Sequence, residues 1–389
     1  MSDARHLAGD ALAAALRDSR ARTWARVDDL SAAQWRPAPQ PGVNPIAWEL
    51  AHLAWFAEFW MLRGPHGRDA DGHASAQRAA RFATPDAHFD SARLGHAARW
   101  ETPMPSRAEL RQMLDGQLDA CAASVARDAD DPALYFARLA LFHEDMHGEA
   151  FCWLRAALGY AAPASVALPQ VPVSGPVVVH GGACRIGADN THGGFAFDNE
   201  LPARDLRLAD FEIDSAPVSV AAFAHFVDAG GYDDPRHWPA AAGAWRAQSN
   251  RAHPQRWRRD ERGEWQMRWF DRWLPLDMRA PAMHLSAFEA EAYCLWAGRR
   301  LPNAAEWEHA APHIQWGASV WEWTADAFAP YPGFAPGPYR EYSAPWFGDH
   351  RELRGGAFAT HSRLHDARYR NFFQPQRTDI FAGFRTAAR

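Results

Sequence analysis

The chain changes its pattern once, near residue 160, and that change constrains the fold more than any other feature of the sequence. From about Leu7 to Leu158 apolar residues recur at three- and four-residue spacing, as Leu7, Ala11, Leu12 and Leu16 do, which is the period of amphipathic helices. Past residue 176 that period is lost, and short apolar runs alternate with glycine turns and scattered aromatics. A chain of 389 residues exceeds one ordinary core, so two domains are expected. Residues 1–160 read as helical, 161–176 as an Ala- and Pro-rich linker, and 177–389 as a loop-rich mixed α/β domain.

The first half predicts four helices. The first contains Leu7 to Leu16 and is followed by a turn-rich break, Arg36 to Gly42. The second runs from Pro45 to Leu62, with Asn44 as N-cap and Pro45 in the first turn. The third, after Pro105-Ser106, spans Glu109 to Arg127, and Pro132 opens the fourth. Helices of this length predict a bundle, with residues 64–106 polar and irregular. In the second half one helix stands out, Ser286 to Ala297, capped by Ser286 and stopped by Gly298.

Net charge is −6, with 41 basic and 47 acidic residues interspersed, so the sequence offers no footprint for nucleic acid and no polybasic membrane patch. No run of about 18 apolar residues and no signal-peptide apolar region occurs, and a cytoplasmic location is expected. The four cysteines, Cys121, Cys152, Cys184 and Cys294, lie far apart and read as reduced, mostly buried thiols. The 19 tryptophans are the outlier and supply aromatic walls for a small ligand, cationic ones included.

The chemistry concentrates in His143-Glu-Asp-Met-His147. Two imidazoles four residues apart share one helix face, the geometry of a metal clamp and of the zinc-protease pattern H-E-x-x-H. His52, set among apolar residues at helical spacing on the second helix, points into the bundle core and supplies a third ligand. Read alone, it would be a core histidine satisfied by a hydrogen bond. Three neutral imidazoles leave open positions for substrate and for oxygen or water, but zinc, copper, nickel and iron all accept imidazole. Glu144 points about 100° away from His143, which weighs against a general-base role at the metal.

The second half resembles the domain of formylglycine-generating enzymes, a C-type-lectin-like fold. The matching segments are His180-Gly-Gly-Ala-Cys-Arg-Ile-Gly187, Phe211 to Val218, Gly230-Gly-Tyr232, Tyr293 to Pro302, Glu306-Trp-Glu308, Val320-Trp-Glu-Trp-Thr324, Leu353-Arg-Gly-Gly356 and Gly383-Phe-Arg385. Formylglycine generation uses a late pair of cysteines to hold copper, and no cysteine follows Cys294. From about Leu7 to Arg385 the chain instead resembles the two-domain iron enzymes that join a DinB-like four-helix bundle to this domain, the sulfoxide synthases of ergothioneine biosynthesis and the related selenoneine synthases. The family's W-x-x-A-H and H-E-x-x-H-x-E patterns match Trp48 to His52 and His143 to Glu149.

That resemblance implies iron(II) on His52, His143 and His147, O2 as co-substrate, and carbon–sulfur or carbon–selenium bond formation on the imidazole of Nα-trimethylhistidine (hercynine). It places Asn371 at the substrate's amino-acid end, with Arg370 and Phe372 beside it. Met146 stands where a glutamine is frequent, and Phe328 aligns with the family's catalytic tyrosine, leaving Tyr331 as the candidate catalytic hydroxyl. The donor loop reads Phe89-Asp-Ser-Ala-Arg93-Leu-Gly-His96-Ala-Ala-Arg99-Trp100, similar to the selenoneine branch, with Arg93, His96 and Arg99 as donor contacts. Three readings stay open: selenoneine synthesis from a selenosugar, sulfoxide synthesis from cysteine or γ-glutamylcysteine, and a non-catalytic lectin-like protein stabilised by zinc.

Overall fold

The computed structural model describes residues 4–40, 42–82, 84–125, 131–189 and 193–389, with the side chains of 131–133 left aside. It divides into two compact units, Met1–Leu158 with Pro163–Ser165 and Asn190–Ala196, and Gly159–Ala162 with Val166–Asp189 and Phe197–Arg389. The first unit is built on four long helices, α1 (Gly9–Val27), α2 (Ile46–Leu62), α4 (Arg107–Val125) and α5 (Asp131–Leu158), with a short α3 (Asp86–Phe89) between them. Leu12 and Leu16 of α1 meet Leu134, Ala137 and Leu141 of α5, and Ala57 and Leu62 of α2 meet Cys121 of α4 and Ala140 of α5. The predicted end of the third helix, Arg127, lies outside the described residues.

Helix α2 is buried on every side, with Met61 its one residue not fully enclosed. A helix apolar all round belongs in a core, and burying Trp48, Phe56 and Phe59 contributes about 1.5–3 kcal/mol each. Its start differs from the sequence reading. Pro45 occupies the N-cap position without a side-chain bond, and Asn44 sends its amide to Glu49 Oε1 at 2.8 Å.

Residues 64–106, expected to be irregular, are folded over α2. They form a hairpin, β1 (His66–Arg68) with β2 (Ala74–Ala76), then α3, then a 3-10 turn at Ala97–Trp100. Polar atoms of α2 tie this excursion down: Glu58 accepts from Thr84 Oγ1 at 2.8 Å, Trp55 Nε1 donates to Asp86 at 2.8 Å, and Trp48 Nε1 donates to His88 O at 2.9 Å. Such pairing is required because a buried polar atom left without a partner costs about 1–3 kcal/mol.

The second unit is a set of small sheets. Strand β3 (Pro176–Val179) pairs with β6 (Phe211–Asp214), and β4 (Gly182–Ile186) with β5 (Arg204–Leu208); β7 (Trp257–Arg259), β8 (Trp265–Trp269) and β9 (Arg272–Pro275) form an antiparallel meander. The central sheet has the order β12 (Asn371–Phe373), β11 (Arg351–Gly355), β10 (Trp321–Ala327), β13 (Ala382–Gly383), antiparallel except for the β10–β13 pair. Helix α8 (Ala287–Trp296) sits where the sequence predicts, with Ser286 and Glu289 capping each other reciprocally. Helices α6 (Val220–Asp228), α7 (Ala240–Ser249) and α9 (Ala304–Ala310) were not anticipated, because seven to ten residues give too few turns for a period to stand out. Within the expected linker, Val171 is buried and its N–H donates to Arg279 O at 2.8 Å, so that stretch is laid onto the second unit.

The motif residues of this unit form its interior. Glu322 accepts from Trp307 Nε1 at 2.9 Å and from Arg385 Nη2 at 2.7 Å, and Trp323 Nε1 donates to Leu285 O at 2.8 Å. Gly383 lets β13 approach closely: a Cβ there would run into the Ala282 carbonyl oxygen and stand 3.0 Å from Val320 Cγ2. Gly383→Ala is therefore expected to destabilise the protein by about 1–3 kcal/mol, read from the midpoint shift in urea denaturation.

Candidate metal centre

Helix α2 delivers His52, and α5 delivers His143 and His147 one turn apart. One nitrogen from each ring lies within 4.8 Å of the others, and the ring centroids are 4.5–5.2 Å apart. Nitrogens bound to one ion at about 2.1 Å are at most about 4.2 Å apart, so small ring rotations bring this set to bonding distance. Among the described residues this is the one such cluster of His, Cys, Asp or Glu.

Two of the rings are held from behind. His52 Nδ1 donates to the Phe89 carbonyl at 2.7 Å, which leaves Nε2 as the ligand atom. The same ring is stacked between Trp48, with centroids 5.2 Å apart, and Trp55, at 5.6 Å. His143 lies flat on Phe56, centroids 3.6 Å apart and planes within 5°. Burial and the neighbouring His147 pull the His52 pKa down to about 3, and burial followed by the other two rings holds His143 well below the usual imidazole range. Both rings are therefore neutral at ordinary pH, with the lone pair a metal needs. The donor set fits a divalent transition metal with positions to spare.

The acidic residues between the histidines turn away. Glu144 is bound by Arg20 Nε at 2.6 Å and Arg20 Nη2 at 3.1 Å, with Thr23 Oγ1 at 3.1 Å, and Asp145 accepts from Ser19 Oγ at 2.8 Å. Both carboxylates fasten α5 to α1, and the zinc-protease role for Glu144 is set aside. Met146, beside His147, is half-buried.

In the loop over α2, Arg93 is engaged by Asp90 at 3.0 Å, by Asp69 at 2.7 Å and by the Ala74 carbonyl at 2.9 Å. His96 Nε2 is 2.8 Å from Val43 O, and Arg99 donates to Asn44 Oδ1 at 2.8 Å while covering the Trp48 ring at 4.3 Å. Within the second unit Phe328 and Phe372 are stacked with centroids 4.1 Å apart, and Asn371 Oδ1 accepts from Phe372 N at 2.9 Å. Arg370, 2% exposed, is a buried clamp that donates to Glu352 at 2.7 Å and to Ala329 O at 2.7 Å. Tyr331 is buried as well, and its hydroxyl accepts from Arg354 Nη2 at 3.1 Å.

Sequence reading missed Glu49, whose Oε2 lies 3.7 Å from His147 Nδ1. The signal was available, since Glu49 precedes His52 by three residues and so shares its helix face. The Phe89 carbonyl carries no side-chain signal and could not have been found that way.

Residues 15–150 match the DinB superfamily, and 162–319 with 314–389 match the sulfatase-modifying factor enzyme 1-like domain. A helical bundle with a trihistidine cluster, followed by that domain, defines a two-domain class of metal-dependent oxygenases. Over 98% of its length the chain is 30% identical to the hercynine oxygenase of Mycolicibacterium smegmatis, covering 99% of that protein, and it is 30% identical to the Mycobacterium tuberculosis hercynine oxygenase over 97% of its length, covering 98%. The formylglycine-generating enzyme of Streptomyces coelicolor is 28% identical over 52% of the chain. The chain thus belongs to the hercynine oxygenase family and is an oxidoreductase, which replaces the reading as a non-catalytic lectin-like protein. Among the described residues no helix is long and apolar enough to cross a membrane.

Proposed function

We propose that this protein holds iron(II) on His52, His143 and His147 and uses O2 to join a chalcogen atom to the imidazole ring of hercynine. The observation that carries this reading is the cluster of three imidazoles in a chain related over nearly its full length to hercynine oxygenases. Iron(II) bound there would leave positions for a substrate nitrogen and for O2 and would mediate the passage of electrons from the two substrates to O2. The protein's part is to fix the rings of His52 and His143, through the Phe89 carbonyl and the faces of Trp48, Trp55 and Phe56. In the second unit the proposed substrate contacts are Phe372, half-buried and stacked on the buried Phe328, whose ring suits a trimethylammonium group, and Asn371, whose amide suits the substrate's amino-acid end. In the same unit Arg370 and, as proton donor, Tyr331 are further proposed substrate residues; Met146 is one in the first unit. In the overall reaction a ring C–H and a donor S–H or Se–H are exchanged for a carbon–chalcogen bond. One oxygen atom ends on the chalcogen and the other leaves as water with the two hydrogens.

The donor we favour is a selenosugar. γ-Glutamylcysteine carries two carboxylates and calls for free cations, whereas both arginines of the Phe89–Trp100 segment already have partners, Arg93 on Asp69 and Asp90 and Arg99 on Asn44. If the donor instead enters there as an anion, Arg93, His96 and Arg99 are its contacts. The second reading is a thiol donor, as in ergothioneine-type sulfoxide synthesis; kinship with hercynine oxygenases fits either donor. Iron-loaded protein is given hercynine, air and either a selenosugar or γ-glutamylcysteine, and the products are identified by mass spectrometry. A selenium-bearing product is expected, and product from the thiol alone would remove the selenium assignment.

A further inference from the structure

We infer that Glu49 is a positioning residue of the metal centre, its carboxylate accepting a hydrogen bond from Nδ1–H of His147 and so fixing Nε2 of that ring toward the metal. The inference rests on the trihistidine reading above and adds a charged partner to it. Glu49 is 2% exposed, and its Oε2 stands 3.7 Å from His147 Nδ1. Both atoms are fully buried, and among the described residues neither has another hydrogen-bond partner. A buried carboxylate oxygen facing a buried ring nitrogen, each otherwise unpaired, is unfavourable until the two pair. The separation exceeds an ordinary N–H···O bond by roughly 0.5–1 Å, within reach of a ring rotation.

The other end of the carboxylate is anchored. Asn44 Nδ2 donates to Glu49 Oε1 at 2.8 Å, and Arg99 Nη1 donates in turn to Asn44 Oδ1 at 2.8 Å. A purely structural role in the first turn of α2 accounts for the bond to Oε1. It does not account for the direction of Oε2. An anionic partner orients a ligand imidazole, selects its tautomer and raises its basicity, and removing such a partner weakens metal binding by about 10- to 100-fold.

Full-length, metal-free protein titrated with cobalt(II) tests this through affinity and through the visible absorption bands of the bound ion, with no turnover required. Glu49→Gln keeps the shape and removes the charge; it is expected to weaken cobalt(II) binding about tenfold and shift the bands, while the thermal midpoint of the metal-free protein stays unchanged. Glu49→Leu removes the acceptor and should approach 100-fold, and Asn44→Ala, which frees one end of the carboxylate, should lose less than either. A Glu49→Gln protein that binds cobalt(II) within twofold of the parent, with the same spectrum, overturns the inference while leaving the trihistidine site standing. Parent protein that binds no cobalt(II), nickel(II) or iron(II) overturns both.

Discussion

Replacing His52 with alanine is expected to abolish iron binding and lower turnover by at least ~10³-fold, because an ion loses one of three ligands and several kcal/mol of stabilisation with it. The remaining pair on α5, with ring centroids 4.5 Å apart, is only a two-point clamp, since His52 is the one ligand that reaches the site from α2. The neutral-ring argument makes the effect steep. Burial already pulls the His52 pKa down to about 3, so protons compete weakly for this ligand and the parent site should keep its metal well into the mildly acidic range. Iron content by elemental analysis, paired with hercynine turnover, checks the result. Full metal content and turnover in His52→Ala would remove His52 from the site.

The second large effect lies one helix face away. Arg20→Met should destabilise the helical unit by about 3–5 kcal/mol, because Arg20 and Glu144 form an ion pair whose side chains are 3% and 5% exposed. Arg20 also donates to Leu114 O at 2.6 Å and Gln117 Oε1 at 3.1 Å, so one guanidinium joins α1, α4 and α5. Its loss leaves the Glu144 carboxylate buried with only Thr23 as a described partner. The double variant Arg20→Met with Glu144→Leu should recover a large part of the loss, as both charges are then gone. Urea denaturation of the single and double variants tests this, and a double variant no more stable than Arg20→Met would contradict the buried-charge account.

How legible the molecule was in its sequence depends on where its polar partners sit. His143 and His147 were legible because a four-residue spacing fixes a shared face whatever the surroundings, and His52 because its neighbours are apolar at helical period. The outward turn of Glu144 followed from the same geometry and is seen in its bonds to Arg20. The excursion of residues 64–106 was illegible because its order comes from α2. Carbonyls of His88 and Phe89 and the Thr84 hydroxyl meet polar atoms of a helix far away in sequence, and no periodicity records such pairing. The local bond by which Asn371 Oδ1 accepts the next residue's N–H was likewise not recorded by any periodicity. Helices α6, α7 and α9 were missed for want of length, although Ser219 and Asn303 cap two of them and could have been noticed.

The bond from His52 to the Phe89 carbonyl places the excursion over α2 inside the metal site's own tuning. Its acceptor is main chain, so no side-chain substitution at residue 89 deletes it. What alters it is the course of the loop. An exchange of this segment intended to retrain donor choice would therefore also reset how firmly one ligand is aimed, and donor preference and metal retention become traits that an engineer, or natural divergence, has to select together.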